Sequence, residues 1–147
     1  MFKSGLGRVV VPAAMLGIGI AIGSFVSPFA SVQAQSAGRV FELRTYTAPE
    51  GKLEALNARF RDYTLRAFER HGMQNIGYWT PQDAPRSGNT LIYLIAHPSR
   101  EAAKKNWADF GNDPERQKLF AESELNGKLV DKIESVYLDA TDFSPLK

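Results

Sequence analysis

Four stretches of the chain have the hydrophobic patterns of β-strands. Residues 40–46 alternate between apolar and polar side chains, which is typical of a half-buried strand. Residues 90–97 are apolar almost throughout and predict a central strand. Two further stretches, at 73–80 and 129–138, are bounded by turn residues and also predict strands. The pattern therefore predicts four strands.

Two helices separate these strands. From Lys52 to Ala67 the apolar residues recur every three to four positions, which predicts an amphipathic helix that ends at His71-Gly72. The charged residues that lie off this apolar stripe are Arg59, Arg61, Asp62 and Arg66. Ser99 is a natural N-cap for a second helix, and Asp113 can cap its continuation after an interruption.

The predicted order is strand, helix, strand, strand, helix, strand. This order predicts an α+β domain with the ferredoxin-like β-α-β-β-α-β arrangement, a four-stranded antiparallel sheet with both helices on one face. We expect the domain to span residues 40–147, after a short linker at 35–39.

The side of the sheet away from the helices gives the first functional expectation. If Phe41, Leu43 and Thr45 face the helices, strand alternation sends their neighbours to the opposite face. The residues then expected on that face are Glu42, Arg44, Tyr46, Trp79, Leu91, Tyr93, Ile95 and His97. The alternation of the strand at 73–80 is ambiguous, and we assign Trp79 rather than Tyr78 to this face. Such an apolar patch is rarely left uncovered, so we expect a homodimer in which two sheets form a barrel around a cavity.

The first 34 residues have the layout of a secretory signal peptide. Lys3 and Arg8 precede an apolar run, and short or small side chains lead up to Ala34, after which we expect cleavage. The alternative is a retained signal anchor, because the run is about as long as a membrane span and contains Gly19-x-x-x-Gly23. We therefore expect export to the periplasm or the extracellular space, with only transient membrane contact through a cleaved leader.

Composition excludes several classes of function. The chain has 147 residues and no cysteine, which excludes disulfides, thiolate catalysis and Cys-ligated metals. The residues after the leader hold 16 basic and 16 acidic side chains, and this balance argues against nucleic-acid binding. Two histidines without metal-ligand spacing predict no metal site, and no phosphate-binding loop is present, so we expect no cofactor.

Several motifs carry a resemblance to a known family. They are Phe41-Glu42-Leu43-Arg44-Thr45-Tyr46-Thr47, Pro49-Glu50-Gly51-Lys52-Leu53, Arg70-His71-Gly72, Gly77-Tyr78-Trp79-Thr80, Asp113-Pro114-Glu115 and Phe143-Ser144-Pro145-Leu146. Together they resemble the NIPSNAP family, although Arg116 stands where that family often has Trp. The resemblance implies a dimeric α/β barrel, in a superfamily that includes cofactor-free monooxygenases.

The candidate chemistry lies on the predicted barrel-interior face. His97 is the candidate catalytic base, with Glu42 or Tyr93 as the expected hydrogen-bond partner, and the alternative is a strand-end histidine bonded to a loop carbonyl. Glu42 and Arg44 either orient a polar ligand or form an ion pair, while Tyr46, Trp79 and Tyr93 either stack on an aromatic ligand or pack the interface.

These residues support three functional interpretations. The first is a small-molecule-binding or protein-interaction module, and the alternative is a cofactor-independent monooxygenase or isomerase that acts on an apolar or aromatic small molecule. The third is a scaffold with a closed interior, in which Arg59, Arg66, Lys104 and Lys105 on the outer helices would dock a protein partner. A binder or an enzyme should have an open pocket of a few hundred Å³ that reaches Arg44 or His97.

Overall fold

The predicted element order is the order observed. A computed structural model describes residues 39–147, so the leader expected at 1–34 lies outside the described residues. The elements are β1 (Val40–Thr47), α1 (residues 53–70), β2 (Gln74–Trp79), β3 (Thr90–His97), α2 (Arg100–Asn112), α3 (Pro114–Ser123) and β4 (Lys132–Leu138).

The four strands form one antiparallel sheet in the order β2-β3-β1-β4. This order is that of the ferredoxin-like arrangement, and the α+β prediction is confirmed. β1 and β3 occupy the centre, with Glu42 opposite Ile95 and Arg44 opposite Tyr93. β4 is an edge strand, and it places Ser135 opposite Arg44.

The first helix contains an irregular turn. Two α-helical segments, Leu53–Arg59 and Leu65–Arg70, flank a π-helical turn at Phe60–Thr64. The Thr64 hydroxyl donates a hydrogen bond to the Arg59 carbonyl at 3.2 Å. This turn brings Arg59, Phe60 and Thr64 all toward the interior, so the expectation that Arg59 lies off the buried stripe is wrong.

The second helical region is two helices. Ser99 Oγ accepts a hydrogen bond from the Ala102 amide at 3.1 Å at the start of α2, as predicted. Asp113 caps α3 by accepting from the Glu115 amide at 2.9 Å, with Pro114 as the first helical residue. The helix therefore stops and restarts at the predicted interruption.

The two faces of the sheet are exchanged relative to the prediction. The Tyr93 ring lies 5.2 Å from Phe60 of α1, and the Tyr46 ring lies 5.8 Å from the same Phe60, measured between ring centroids. The helix-packed face carries Glu42, Arg44, Tyr46, Tyr78, Leu91, Tyr93, Ile95 and His97. Seven of these eight residues, all except Tyr78, were expected on the side away from the helices. That expectation is wrong.

The reason is the composition of the central strands. β3 is apolar on both sides, so its alternation does not identify the side that meets the helices. Glu42 and Arg44 suggested an outward face for β1, but their charges are paired with each other inside the protein. The alternation predicted for β1 and β3 was therefore correct and only the choice of side was wrong, whereas Trp79 of β2 does not share a face with Glu42 and Tyr93.

The opposite side, here called the open face, is also apolar. It carries Phe41, Leu43, Thr45, Trp79, Ile92, Leu94, Val136 and Leu138. Trp79 and Val136 are both more than half exposed, and the Trp79 indole lies across Gly77, where a Cβ would come within 2.5 Å of the ring. Within residues 39–147, none of the helices combines the length and the apolar character needed to span a membrane.

Candidate ligand-binding site

Glu42 is the centre of a buried polar cluster on the helix-packed face. Its Oε2 accepts a hydrogen bond from Trp107 Nε1 at 2.6 Å and lies 3.1 Å from His97 Nε2. Its Oε1 accepts from Ser135 Oγ at 2.6 Å and pairs with Arg44 Nη1 at 3.0 Å. The carboxylate therefore has four partners contributed by β1, β3, α2 and β4.

This environment keeps Glu42 ionised. Burial alone would raise the pKa of the carboxyl group. The hydrogen bonds from His97, Ser135 and Trp107 and the charge of Arg44 outweigh burial and lower the pKa from 4.5 to about 2. Glu42 is thus a fixed negative charge that orients its donors.

His97 lies in the protein interior and does not line the cavity described below. Its side chain is fully buried, with Nε2 against Glu42 and Nδ1 3.5 Å from the Asn106 amide nitrogen. A general base must come within hydrogen-bond distance of its substrate. The observed geometry pairs His97 with Glu42, one of the two partners expected for it, but does not expose it to the cavity.

A cavity of about 320 Å³ lies between the sheet and the helices of a single protomer. β1, β4 and the segment before β4 form its floor, α1 forms one wall, and α2 with α3 forms the other. The lining residues are Arg44, Tyr46, Arg59, Phe60, Thr64, Phe68, Trp107, Phe110, Gly111, Arg116, Phe120, Glu124, Val130 and Ile133. The walls are therefore mainly aromatic, with a few charged groups.

Three arginines supply most of this charge. Arg44 stacks over Trp107 at 4.1 Å, measured from Cζ to the ring centroid, and keeps its ion pair with Glu42. Arg59 is 8% exposed and pairs with Glu124 at 2.8 Å. Arg116 lies over Phe120, with its Cζ 4.2 Å from the ring centroid. Guanidinium groups held on aromatic rings are favourably placed for cation–π contact.

The predicted site residues separate into two groups. Glu42, Arg44, Tyr46, Tyr93 and His97 cluster on the helix-packed face, and only Arg44 and Tyr46 among them line the cavity. Trp79 lies apart from them on the open face, which is the side assigned to it from an ambiguous strand pattern. The structure does not place these six residues around one barrel interior.

Three cavity residues were missed as site candidates. Arg59 was assigned to the outer surface, because the π-helical turn has no signature in the spacing of the apolar residues. Trp107 fits a helical stripe and was interpreted as core. Arg116 stands where the NIPSNAP family often has Trp, and this difference was the signal in the sequence for a cation at this position.

The described residues contain no cluster of metal-ligating side chains. Within 39–147, His, Asp and Glu nowhere form a group of three or more that could hold a metal ion. The site therefore consists of aromatic side chains, guanidinium groups and paired carboxylates.

Comparisons with known proteins agree on the fold. The sequence model of the NIPSNAP family matches residues 41–145. A NIPSNAP family protein of unknown function from Agrobacterium tumefaciens is 21% identical and superposes with a TM-score of 0.65, covering 75% of this chain and 95% of the other. An uncharacterized NIPSNAP-like domain protein from Burkholderia xenovorans is 19% identical, with a TM-score of 0.63 over 73% and 89% of the two chains.

A more distant structural similarity is to an enzyme. A monooxygenase from Streptomyces coelicolor, solved in complex with nanaomycin D, is 15% identical and has a TM-score of 0.50 over 69% of this chain and 87% of the other. At this identity the similarity concerns the fold alone. The search of curated proteins found no match to this chain.

Proposed function

The chain belongs to the NIPSNAP family, and from this we propose that it is a small-molecule-binding protein whose ligand occupies the cavity between the sheet and the helices. The observation that carries the proposal is the cavity itself. Protein interiors are normally packed with few voids larger than a water molecule. A space of about 320 Å³ with aromatic walls and a few polar groups falls in the range of ligand sites.

The composition of the walls supports this proposal. Phe60, Phe68, Phe110 and Phe120 offer ring surfaces from three different helices. Gly111 of α2 leaves open space beside them, because a Cβ at this position would meet no atom within 4 Å. The cavity reaches Arg44, which is the feature expected of a binder and not of a scaffold with a closed interior.

Binding, rather than catalysis, is the function that these groups support. Glu124 is the only carboxylate among the lining residues, and it is paired with Arg59. The oxygenase or isomerase alternative rests on the fold that the chain shares with the monooxygenase, and the cavity lining adds no positioned general base to it.

Filling the cavity tests the proposal. Gly111→Leu places a side chain in the open space, and we expect it to abolish binding of a neutral aromatic probe, 2-naphthamide, in a saturation-transfer NMR experiment. Gly88→Leu is the matched control, because a Cβ on Gly88 would also meet no atom within 4 Å and this residue lies outside the cavity. Equal binding of the probe by wild type and Gly111→Leu would contradict the assignment of the ligand to this cavity.

We also propose that the protein is an exported homodimer. Support for the dimer comes from the open face, whose apolar side chains Leu43, Ile92 and Leu94 stay partly exposed in the protomer. Support for export comes from the sequence of residues 1–34 alone. The intact mass of the protein from its own cells tests export, since cleavage after Ala34 would leave a chain that begins at Gln35.

A further inference from the structure

Buried polar atoms without partners collect at the cavity. In the described part of the chain, four buried side-chain nitrogen or oxygen atoms have no hydrogen-bond partner. Three of them are the Nε atoms of Arg44, Arg59 and Arg116, and all three arginines line the cavity. A buried donor without an acceptor costs about 1–3 kcal/mol. An acceptor inside the cavity would satisfy these donors.

The charges at the cavity leave a positive excess. Arg44 is paired with Glu42, and Arg59 is paired with Glu124. Arg116 lies within ion-pair distance of no carboxylate in residues 39–147, and its guanidinium contacts the Phe110 and Phe120 rings instead. The local balance is therefore one unpaired positive charge, which a monoanion would neutralise.

Arg59 and Arg116 converge on one aromatic ring. Their Cζ atoms lie 4.1 Å and 4.2 Å from the Phe120 ring centroid. Both guanidinium groups therefore border the same aromatic ring of the cavity wall. The remaining walls are rings of phenylalanine and the indole of Trp107, which suit a planar apolar body.

We propose that the ligand is a monoanionic aromatic carboxylate, with its carboxylate beside Arg116 and its ring among the phenylalanines of the cavity. This inference rests on the proposed function and adds the charge and class of the ligand. The singly charged carboxylate is favoured over a phosphate dianion, because a second negative charge would have no unpaired cation at the site.

Calorimetric titration with two matched probes tests this inference. 2-Naphthoate and 2-naphthamide have nearly the same shape and differ in charge. We expect wild type to bind the carboxylate at least about tenfold more tightly, as a charge-assisted contact to a guanidinium provides. Phenyl phosphate at the same concentration should bind more weakly than 2-naphthoate.

Variants at position 116 test whether Arg116 causes the preference for the carboxylate probe. Arg116→Met keeps much of the side-chain length and removes the charge, and we expect it to bind 2-naphthoate and 2-naphthamide about equally. Arg116→Lys keeps the charge and should retain a preference for the carboxylate. Lys118→Met is the surface control, because Lys118 is exposed on the same helix and lies outside the cavity.

Each remaining outcome distinguishes the two proposals. Equal binding of both probes by wild type overturns the inference about charge, since water would then satisfy the arginines, and leaves the binding function in place. A full carboxylate preference in Arg116→Met overturns the role of Arg116. Failure of both probes to bind wild type at millimolar concentration overturns the proposed function together with the inference.

Discussion

Glu42 shows how a charged residue can occupy the interior of this small domain. It is 1% exposed, yet both of its carboxylate oxygens meet donors from neighbouring elements in place of water. Removing one partner from a buried ionic cluster leaves the other charges without compensation, which is strongly destabilising. The cluster also holds Arg44 against the Trp107 indole, and both of these residues line the cavity.

The acid sensitivity of the protein should depend on this residue. The pKa of Glu42 is about 2 in the folded protein and 4.5 ordinarily, so the folded state binds this proton less readily than the unfolded state. The stabilisation is therefore complete above pH 4.5 and is lost as the pH falls toward 2. Its size is about 3 kcal/mol in the free energy of unfolding.

Urea denaturation as a function of pH measures this effect. We expect Glu42→Gln to be less stable than wild type at pH 7 and the difference to shrink as the pH approaches 2. Glu54→Gln is the matched control, because Glu54 is exposed and its ion pair with Arg61 is long, at 3.8 Å. A difference between wild type and Glu42→Gln that does not change with pH would contradict the low pKa.

At the scale of elements, the π-helical turn of α1 decides what the cavity contains. In a regular α-helix the adjacent side chains of Arg59 and Phe60 would point in different directions. The wider π-helical turn allows both of them to point inward. The Thr64 hydroxyl also donates a hydrogen bond to the Arg59 carbonyl across this turn. The helix therefore places the Arg59 guanidinium in a cavity wall that is otherwise mainly aromatic.

Replacing this hydroxyl should destabilise the protein modestly. Thr64→Val keeps the branched shape and removes the donor, leaving a buried carbonyl with one partner fewer. We expect the free energy of unfolding to fall by about 1 kcal/mol. Chemical denaturation would measure it, and Thr80→Val at an exposed position should change stability by less than about 0.5 kcal/mol. Equal effects at both positions would show that the hydrogen bond does not support the turn.

At the scale of the whole molecule, the sheet has two apolar faces and only one layer of helices. The C-terminal tail shields part of the open face, since Leu146 lies beside Phe41 and Leu138. Trp79, Val136 and Leu138 nevertheless stay at least 39% exposed. A second copy that covers this face would remove a contiguous apolar patch from water. The exchange of faces therefore takes the expected lining residues away from the predicted space between two sheets, but the apolar open face still gives a reason to propose a dimer.

A charge in the centre of the open face should separate the proposed dimer. We expect light scattering coupled to size-exclusion chromatography to report a dimer for wild type and a folded monomer for Leu94→Lys, because a lysine there cannot be buried without a partner. Leu125→Lys makes the same chemical change at a position that is 82% exposed and should remain dimeric. A monomeric wild type would contradict the proposal.

Local features of the chain were predictable because they depend on neighbouring residues. The periodicity of the apolar positions indicated the strands and helices, and short polar side chains identified the caps at Ser99 and Asp113. Gly72, with a φ of +73°, ends α1 where the sequence predicted it. These features require only contacts a few residues apart, so they can be read without a tertiary structure.

The candidate site was not predictable in the same way. Alternation along β1 and β3 establishes which side chains share a face, but both faces are apolar enough to meet the helices. Which face is buried depends on partners that are distant in sequence. Trp107 and Ser135 donate hydrogen bonds to Glu42, and aromatic rings of the helices surround Tyr93. The sequence by itself determined the elements and their order, and the tertiary structure alone decided which face is buried, because burying a charge becomes favourable only when all its partners are assembled.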